Sequence, residues 1–393
     1  MRVLHLTPYY APAYAFGGVV RSVEGIARAL VRRGHTVTVL TTDALDPEAR
    51  YDGSLDEMRD GVRVVRAPNL FPGLRRRANL STPHQMKRLA ESLLPQTDVV
   101  HCHEFRTVEN LLVTPVARRL GRPLALSPHG TLTYTTGRSA AKALWDRVLS
   151  SAVALRFDQV IGLTNAEIEE ARVLWPAFGR RRVPAGFSVV PNGVDPDEYA
   201  ALTGGAEFRA RWGLGDAPVC LFLGRLHPRK GADVLARAFL AADVKQSRLV
   251  IAGPDEGVRP LLETLDDPRI VLTGYLEGAD RLAALAAADL LALPAIGEGL
   301  PMAALEALAA GIPVILSPGC HLPEVAQAGA GLVIEPQLEP LAVALQGLLN
   351  DPARRARMGA AARKLACERF AWDRVAAQLE AVYVGMMAPS ASA

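Results

Sequence analysis

Residues 290–311 read LLALPAIGEGLPMAALEALAAG and predict a strand, a glycine-bearing loop and a helix in immediate succession. The apolar strand ends at Pro294, and Pro301 stands in the first helical turn, where its missing N–H costs nothing. Gly311 is the residue type that most often ends a helix. A strand that passes directly into a helix in this way is typical of the βαβ unit, the building block of a parallel sheet.

The same alternation extends over the whole chain in two series. Short apolar or β-branched runs predict the strands of a first sheet at residues 3–7, 36–41, 62–66, 99–103, 124–128, 159–163 and 187–191. A second series predicts strands at residues 219–223, 248–252, 270–273, 290–294, 314–317 and 332–334, with helical segments that include 231–239, 280–288 and 301–310. The predicted fold class is α/β, with two doubly wound Rossmann-like domains that face each other across a cleft.

Composition excludes several classes of protein. The chain has 393 residues, half of them hydrophobic, which is enough for two to three globular domains of about 150 residues. A net charge of +3 does not suit a nucleic-acid-binding polycation, and four scattered cysteines indicate a reducing cytoplasm. The uncharged N-terminal stretch is interrupted by His5, Pro8 and Pro12, which argues against an export signal. No charge-free apolar run is long enough to predict a transmembrane helix.

Two glutamates in the opening stretch are candidates for a binding site. Glu306 lies four residues after Met302, on the side of the helix that is predicted to be buried with Leu305, so its carboxylate needs a partner there. The two hydroxyls of a ribose would suit it, and Glu298, in the loop before the helix, could reach a sugar. The amides of the helix N-terminus favour an anion. Taken alone, the pattern is also compatible with two surface glutamates beside a helix start.

Residues 224–231, GRLHPRKG, follow the first predicted strand of the second domain and open its first helix. Gly224 permits close approach of a ligand to the backbone, and Arg225 and Lys230 could neutralise a diphosphate. A loop of solvated charges is the alternative explanation of this segment.

Together these motifs resemble those of retaining glycosyltransferases of family 4, which have the GT-B fold. Glu298-x7-Glu306 is similar to the family's E-x7-E signature, and Gly224-Arg225…Lys230-Gly231 is similar to its donor-phosphate motif. Further similarities are found at VPNGVD (190–195), at SPHG (127–130), at Gly17-Gly18 followed by RSVE (21–24), and at FAW (370–372). The motifs occur in the family's order and cover nearly the whole chain.

The resemblance implies transfer of a hexose from a nucleotide diphosphate sugar, with retention and without a metal or cofactor. By position, Arg225 and Lys230 would hold the diphosphate and Glu306 the ribose hydroxyls. Glu298 and the amides of Gly299 and Leu300 would hold the sugar, which His129 would approach from the first domain. Gly17 and Gly18 would lie under the phosphates or the acceptor. Leu300-Pro301 departs from the Phe-Gly or Tyr-Gly of many relatives and removes one amide from that contact.

The resemblance also assigns the domains. We expect an acceptor-side domain at residues 1–200, a nucleotide-sugar domain at 201–369, and a C-terminal helix at 370–387 that crosses back to the first domain. The connector would lie near residues 195–215, so Asp195-Pro196-Asp197 is interpreted as connector rather than as a metal-binding D-x-D motif. The expected acceptor is a glycan or a lipid-linked saccharide.

Three other sequence features bear on function. His101-Cys102-His103 has no second Cys/His pair at ligand spacing, which argues against zinc. No G-x-G-x-x-G follows a strand, which argues against a nicotinamide enzyme. The basic residues Arg75, Arg76, Arg77, Lys87 and Arg88 lie among apolar residues and could attach the protein peripherally to an anionic membrane at the inner face, although a solvated surface explains them equally.

The sequence leaves two alternatives to a transferase open. A hydrolysing UDP-sugar 2-epimerase would use the same fold but release the nucleotide without an acceptor. A non-catalytic subunit that binds sugar nucleotides would bind without turnover. The sequence does not identify the base, the sugar or the acceptor.

Overall fold

The structure, a computed structural model, describes residues 1–71, 74, 80–132, 139–179, 184 and 186–388. The chain divides into two compact units. The first unit comprises Met1–Gly193 and Trp372–Ala393, and the second comprises Val194–Ala371. Each unit has its own sheet, so the α/β class predicted from the alternation of strands and helices is confirmed.

The first unit contains an eight-stranded sheet of order β3-β4-β2-β1-β5-β6-β7-β8. Its strands are β1 Arg2–Leu6, β2 Thr36–Thr42, β3 Asp56–Arg59, β4 Val62–Ala67, β5 Val99–His103, β6 Leu124–Ser127, β7 Gln159–Gly162 and β8 Gly186–Val189. All neighbouring strands are parallel except β3, which pairs antiparallel with β4. The sheet order reverses between β1 and β5, which makes the carboxyl ends of these two strands the place where a ligand is expected.

Helices connect the strands of the first unit. They are α1 Gly18–Arg32, α2 Met86–Leu93, α3 Val108–Arg119, α4 Ser139–Trp145, α5 Ser151–Ala154 and α6 Asn165–Phe178. Strands β5 and β6 are buried at every position, as expected for parallel strands covered on both faces. Thr107 and Thr164 accept hydrogen bonds from the Asn110 and Glu167 amides and thereby cap the N-termini of α3 and α6.

The second unit contains a six-stranded parallel sheet of order β11-β10-β9-β12-β13-β14. Its strands are β9 Val219–Leu223, β10 Arg248–Ala252, β11 Ile270–Gly274, β12 Leu290–Leu293, β13 Val314–Leu316 and β14 Gly331–Val333. Its helices are α7 Gly205–Arg211, α8 Ala232–Ala242, α9 Arg259–Glu263, α10 Gly278–Ala287, α11 Met302–Ala309, α12 Glu324–Gln327, α13 Leu338–Leu349 and α14 Pro352–Leu365. The order reverses between β9 and β12, which places the second expected binding position there.

The last helix, α15 Trp372–Met387, belongs to the first unit. It packs on α1, where a side chain at Gly25 would collide with the Trp372 ring. Tyr383 is completely buried, and its hydroxyl lies 2.7 Å from Nδ1 of His101. Asp373 accepts a hydrogen bond from Arg32 at the exposed side of the same contact.

Candidate functional site

The two motifs of the second unit lie at the carboxyl ends of neighbouring strands of its sheet. GRLHPRKG (224–231) follows β9 directly, and the loop 294–301 follows β12, its neighbour at the point where the sheet order reverses. Sequence alone predicts that both segments follow strands, but the order of the strands is what makes them adjacent. The residues that they carry therefore face one crevice.

Glycine is required where these loops meet. Gly231 has φ of 73°, and a Cβ there would lie 2.5 Å from the carbonyl oxygen of Pro294. A Cβ at Gly319, in the loop after β13, would lie 2.6 Å from the carbonyl oxygen of Ala295. Any side chain at either position would push the loop after β12 away from its neighbours.

Lys230 and Glu298 form the centre of this site. Nζ of Lys230 donates to Oε2 of Glu298 at 2.6 Å, and both side chains are mostly buried. The Glu298 amide donates to the Gly319 carbonyl, and Arg229 donates to the carbonyls of Ile296 and Gly297. The loop that presents Glu298 is thus fixed by backbone contacts, and Lys230 is left as the cation beside the carboxylate.

Arg225 is placed differently. Its guanidinium is about half exposed and donates to Oε1 of Glu256, in the loop after β10, at 2.8 Å. The structure therefore brings Arg225 to the carboxyl ends of the strands, as it does Lys230. Arg225 forms its ion pair with Glu256, however, and not with the Lys230–Glu298 pair. Gly224 follows β9 directly, and a Cβ at this position would meet only ring atoms of Phe222, at 3.9 Å.

Glu306 is almost completely buried on α11, as the sequence predicts, but its partner is a protein residue. The guanidinium of Arg281, on α10, donates to its carboxylate. Sequence reasoning missed Arg281. Met302 is half-buried rather than part of the buried stripe, and α11 begins at Met302 because Pro301 has an extended conformation. Leu300 is buried and Gly299 is half-buried in the turn before the helix.

In the first unit the predicted glycines lie at a helix start. Gly17, with φ of 101°, is the residue before α1, and Gly18 is the first helical residue. The segment comes shortly after β1, one of the two strands at the order reversal. The amides of the first turn of α1 are consequently presented near the crevice of this unit.

His129 follows β6 and has the left-handed conformation, with φ of 54°. The amide of the next residue, Gly130, donates to Glu167 at 2.5 Å, and Glu167 also accepts from the Leu163 amide. Burial raises the pKa of Glu167 to about 7. Sequence reasoning missed Glu167, which secures the backbone that carries His129.

Four histidines gather at the carboxyl ends of β1, β5 and β6. His5 is paired in register with His101, and His103 lies on the same face of β5 because side chains on a strand repeat every two residues. Nδ1 of His5 is 2.8 Å from Nε2 of His103, and Nδ1 of His103 is 2.9 Å from Nε2 of His129. Burial lowers the pKa of His5 to about 3 and that of His129 to about 4, so these rings are neutral at pH 7.

His5, His101 and His103 are also close enough to be considered as metal ligands, since ring nitrogens of all three lie within 4.8 Å of one another. Hydrogen bonds already account for their arrangement. His101 bonds to Tyr383 and to Ser127, and His103 bonds to His5 and His129. Of the nitrogens in this group, Nε2 of His5 is buried without a partner.

A further acid lies beside this group. Glu104 follows β5 with φ of 63°, and burial, with a smaller contribution from the nearby Glu109 carboxylate, raises its pKa to about 7. Glu109 instead accepts a hydrogen bond from Ser81. Sequence reasoning did not single out either glutamate.

The structure describes only some of the residues expected to attach the protein to a membrane. Arg75, Arg76 and Arg77 lie outside the described residues. Lys87 and Arg88 are exposed on α2, and the nearby Leu70, Phe71 and Leu74 are exposed apolar side chains. Within the described ranges, no helix has the length and apolar character needed to cross a bilayer.

Comparison with protein families gives two matches along the chain. Residues 16–198 match the model described as Glycosyltransferase Family 4, and residues 217–351 match the model described as Glycosyl transferases group 1. A GDP-mannose-dependent alpha-(1-6)-phosphatidylinositol monomannoside mannosyltransferase of Mycolicibacterium smegmatis is 30% identical, covering 94% of this chain and 95% of the relative. A D-inositol 3-phosphate glycosyltransferase of Kineococcus radiotolerans is 32% identical, covering 97% and 93%.

Solved structures show the same fold. An Anabaena protein, HepE, in complex with UDP-glucose superposes with a TM-score of 0.75 at 20% identity, covering 98% of this chain and 100% of that one. A sucrose-phosphate synthase from Thermosynechococcus elongatus gives a TM-score of 0.74 at 21% identity, covering 98% and 99%. These structures give the fold, GT-B, and the family matches and the curated relatives give the class of protein, a glycosyltransferase that uses a nucleotide sugar. With these relatives, the chain belongs to glycosyltransferase family 4.

Proposed function

We propose that this glycosyltransferase is a retaining, metal-independent hexosyltransferase that passes the sugar of a nucleoside diphosphate sugar to a glycan or lipid-linked acceptor. The observation that carries the proposal is the Lys230–Glu298 pair, 2.6 Å apart where the loops after β9 and β12 meet. A cation and a carboxylate held together in this crevice suit a ligand that has a diphosphate at one end and a sugar at the other.

Charge development in the reaction supports the absence of a metal. When the glycosidic bond to the diphosphate breaks, negative charge accumulates on the leaving phosphate, and fixed positive groups stabilise it. Lys230 and Arg225 supply two cations, and the N-terminus of α11, which begins at Met302, supplies the positive end of a helix dipole. These groups take the role that a divalent ion has in metal-dependent transferases.

We assign the remaining residues to the two ends of the donor. Glu306 binds the ribose hydroxyls with its carboxylate oriented by Arg281. Glu298, with the amides of Gly299 and Leu300, binds the sugar. His129 contacts the sugar from the first unit. Gly17 and Gly18 present the N-terminus of α1 to the phosphates or to the acceptor.

The deciding experiment follows the product by NMR. With a matching donor and acceptor, an anomeric configuration equal to that of the donor supports retention, and the inverted configuration contradicts it. Turnover is expected to survive EDTA because the protein supplies the positive charge. Loss of most activity in EDTA, restored by Mg²⁺ or Mn²⁺, would show that the site needs a metal. Release of UDP and an epimerised sugar without an acceptor would indicate an epimerase instead.

For the acceptor, we propose a saccharide on a lipid anchor, reached by peripheral attachment to the inner face of the cytoplasmic membrane. The name of the mycobacterial relative, a phosphatidylinositol monomannoside mannosyltransferase, supports a lipid-linked acceptor. The exposed cations Lys87 and Arg88, and the exposed Phe71 earlier in the same unit, support a surface that combines charge with apolar side chains. Each cation near an anionic bilayer contributes about 1 kcal/mol, and salt screens this attraction.

Co-sedimentation with anionic vesicles tests this attachment. The parent is expected to bind at low salt and to dissociate at high salt. A variant with Arg75, Arg76, Arg77, Lys87 and Arg88 changed to Gln is expected to remain in the supernatant. Equal partitioning of the two proteins, or binding that is indifferent to salt, would exclude this surface.

A further inference from the structure

Three imidazoles in the first unit form a continuous hydrogen-bonded file from the core to His129. His5 and His103 are fully buried and joined by a bond of 2.8 Å, and His103 is joined to His129 by a bond of 2.9 Å. His129 itself is only half-buried. We call these three residues the histidine file.

The two ends of the histidine file differ. At the inner end, Nε2 of His5 is buried and has no hydrogen-bond partner. At the outer end, Nδ1 of His129 makes no hydrogen bond within the described part of the chain, and it is not among the buried unpartnered atoms, so it is not sealed from solvent. The file therefore has one closed end and one end available to a substrate.

Proton counting couples the two ends. Burial lowers the pKa of all three rings, so each ring has one proton on one of its two nitrogens. Each of the two bonds needs one donor and one acceptor. If Nε2 of His5 is unprotonated, Nδ1 of His5 donates to His103, Nδ1 of His103 donates to His129, and Nδ1 of His129 must have the proton. If Nε2 of His5 is protonated, every proton is on Nε2 and Nδ1 of His129 is bare.

We infer that His5 and His103 are positioning residues that hold His129 as the Nδ1–H tautomer, so that it donates a hydrogen bond to an oxygen of the bound sugar. In folded proteins a buried N–H without an acceptor is rarer than a buried acceptor without a donor. Nε2 of His5 is therefore expected to have the lone pair and not the proton. The contact of His129 with the sugar rests on the proposed function, but the tautomer itself does not.

The tautomer is measured first, in the parent without substrate. Long-range ¹⁵N–¹H correlation spectra of protein with ¹⁵N-labelled histidine distinguish the protonated from the bare ring nitrogen, and His129→Gln and His5→Gln assign the signals. The expected result at pH 7 is a proton on Nδ1 of His129 and a bare Nε2 of His5. A proton on Nε2 of His129, or a doubly protonated ring, would overturn the inference.

Substitution of His103 tests the positioning role. In His103→Asn the amide nitrogen replaces Nδ1 and can still donate to His129, whereas His103→Leu has a similar size and no donor. We expect His103→Leu to give mixed tautomers of His129 and to lower kcat/KM about 3- to 10-fold, the value of one neutral hydrogen bond. We expect His103→Asn to stay within about twofold of the parent, and both variants to bind the bare nucleoside diphosphate like the parent.

His101→Gln is the matched control, because His101 is an equally buried, hydrogen-bonded histidine whose nitrogens bond to Tyr383 and Ser127 instead of the file. It is expected to lose stability but to keep the tautomer of His129. If His103→Leu keeps both the tautomer and the rate of the parent, or if His103→Asn behaves like His103→Leu, the positioning role is refuted. If no donor is turned over by the parent, the proposed function fails while the spectra still decide the tautomer.

Discussion

Replacement of Lys230 by alanine is the sharpest test of the donor site. Its Nζ lies 2.6 Å from Oε2 of Glu298, with 16% of the Lys230 side chain and 17% of the Glu298 side chain exposed. The substitution removes one charge-assisted contact to the diphosphate, worth about 1.5 to 3 kcal/mol in the transition state. That corresponds to a loss of about 10- to 150-fold in kcat/KM.

The same substitution also affects folding. It leaves the mostly buried carboxylate of Glu298 without a partner, at a cost of about 1 to 3 kcal/mol in the free energy of unfolding. In the double variant Lys230→Ala/Glu298→Gln that cost is reduced, because no unpaired charge remains. The coupling between the two positions is expected at about 0.5 to 3 kcal/mol. The loss of catalytic efficiency is not expected to recover with it.

Initial rates over a range of donor concentrations measure the first effect, and denaturant unfolding measures the second. Lys245→Ala is the control, because Lys245 is an exposed lysine in the loop before β10, at the amino ends of the strands rather than the carboxyl ends. It is expected to change neither quantity. A kcat/KM of Lys230→Ala within about twofold of the parent would refute the assignment of Lys230 to the diphosphate.

Three more expectations concern single side chains. Arg225→Ala is expected to lower kcat/KM about 10- to 150-fold in the same assay, and a change within twofold would exclude Arg225 from the phosphate site. In calorimetry with a bare nucleoside diphosphate, Glu306→Gln is expected to weaken binding and Glu298→Gln to spare it; equal losses would contradict the placement of ribose and sugar. Burial raises the pKa of Glu104 to about 7, so the native state loses stability as pH rises from 4.5 through 7 and Glu104 becomes charged. Glu104→Gln should therefore gain stability relative to the parent between pH 5 and pH 8 in denaturant unfolding, whereas Glu339→Gln, at an exposed position, should show no such trend.

Most strands were predictable because parallel strands buried on both faces are continuous apolar runs. The predicted residues 99–103, 219–223 and 248–252 coincide with β5, β9 and β10. Strand β3 was not predicted, because Asp56–Arg59 has one apolar residue, Met58, which is exposed at the edge of the sheet. Its position depends on antiparallel pairing with β4. The order of apolar and polar residues within one segment does not show which strand that segment pairs with.

The candidate site residues were predictable from the sequence where a short motif carries them. Glu298, Glu306 and Lys230 stand at recognisable spacings in strand–loop–helix segments. The pairing of Arg281 with Glu306 was not predictable, because Arg281 lies on a different helix and meets Glu306 only through the packing of α10 and α11. The histidine file had a partial signal, since His101 and His103 are two residues apart and so share a face of β5. His5 joins them because β1 and β5 are neighbours in the sheet. That strand order cannot be read from the sequences of the two segments.

The C-terminal helix has a consequence for the order in which the protein can fold during synthesis. The first unit is made of Met1–Gly193 and Trp372–Ala393, with the whole second unit between them in the chain. While the ribosome is still translating the second unit, the face of α1 that receives Trp372 and the ring of His101 that bonds Tyr383 have no covering helix. The second unit, a continuous segment, can complete its core first. Domains that begin at the N-terminus usually fold first on the ribosome, and here the N-terminal unit must finish last.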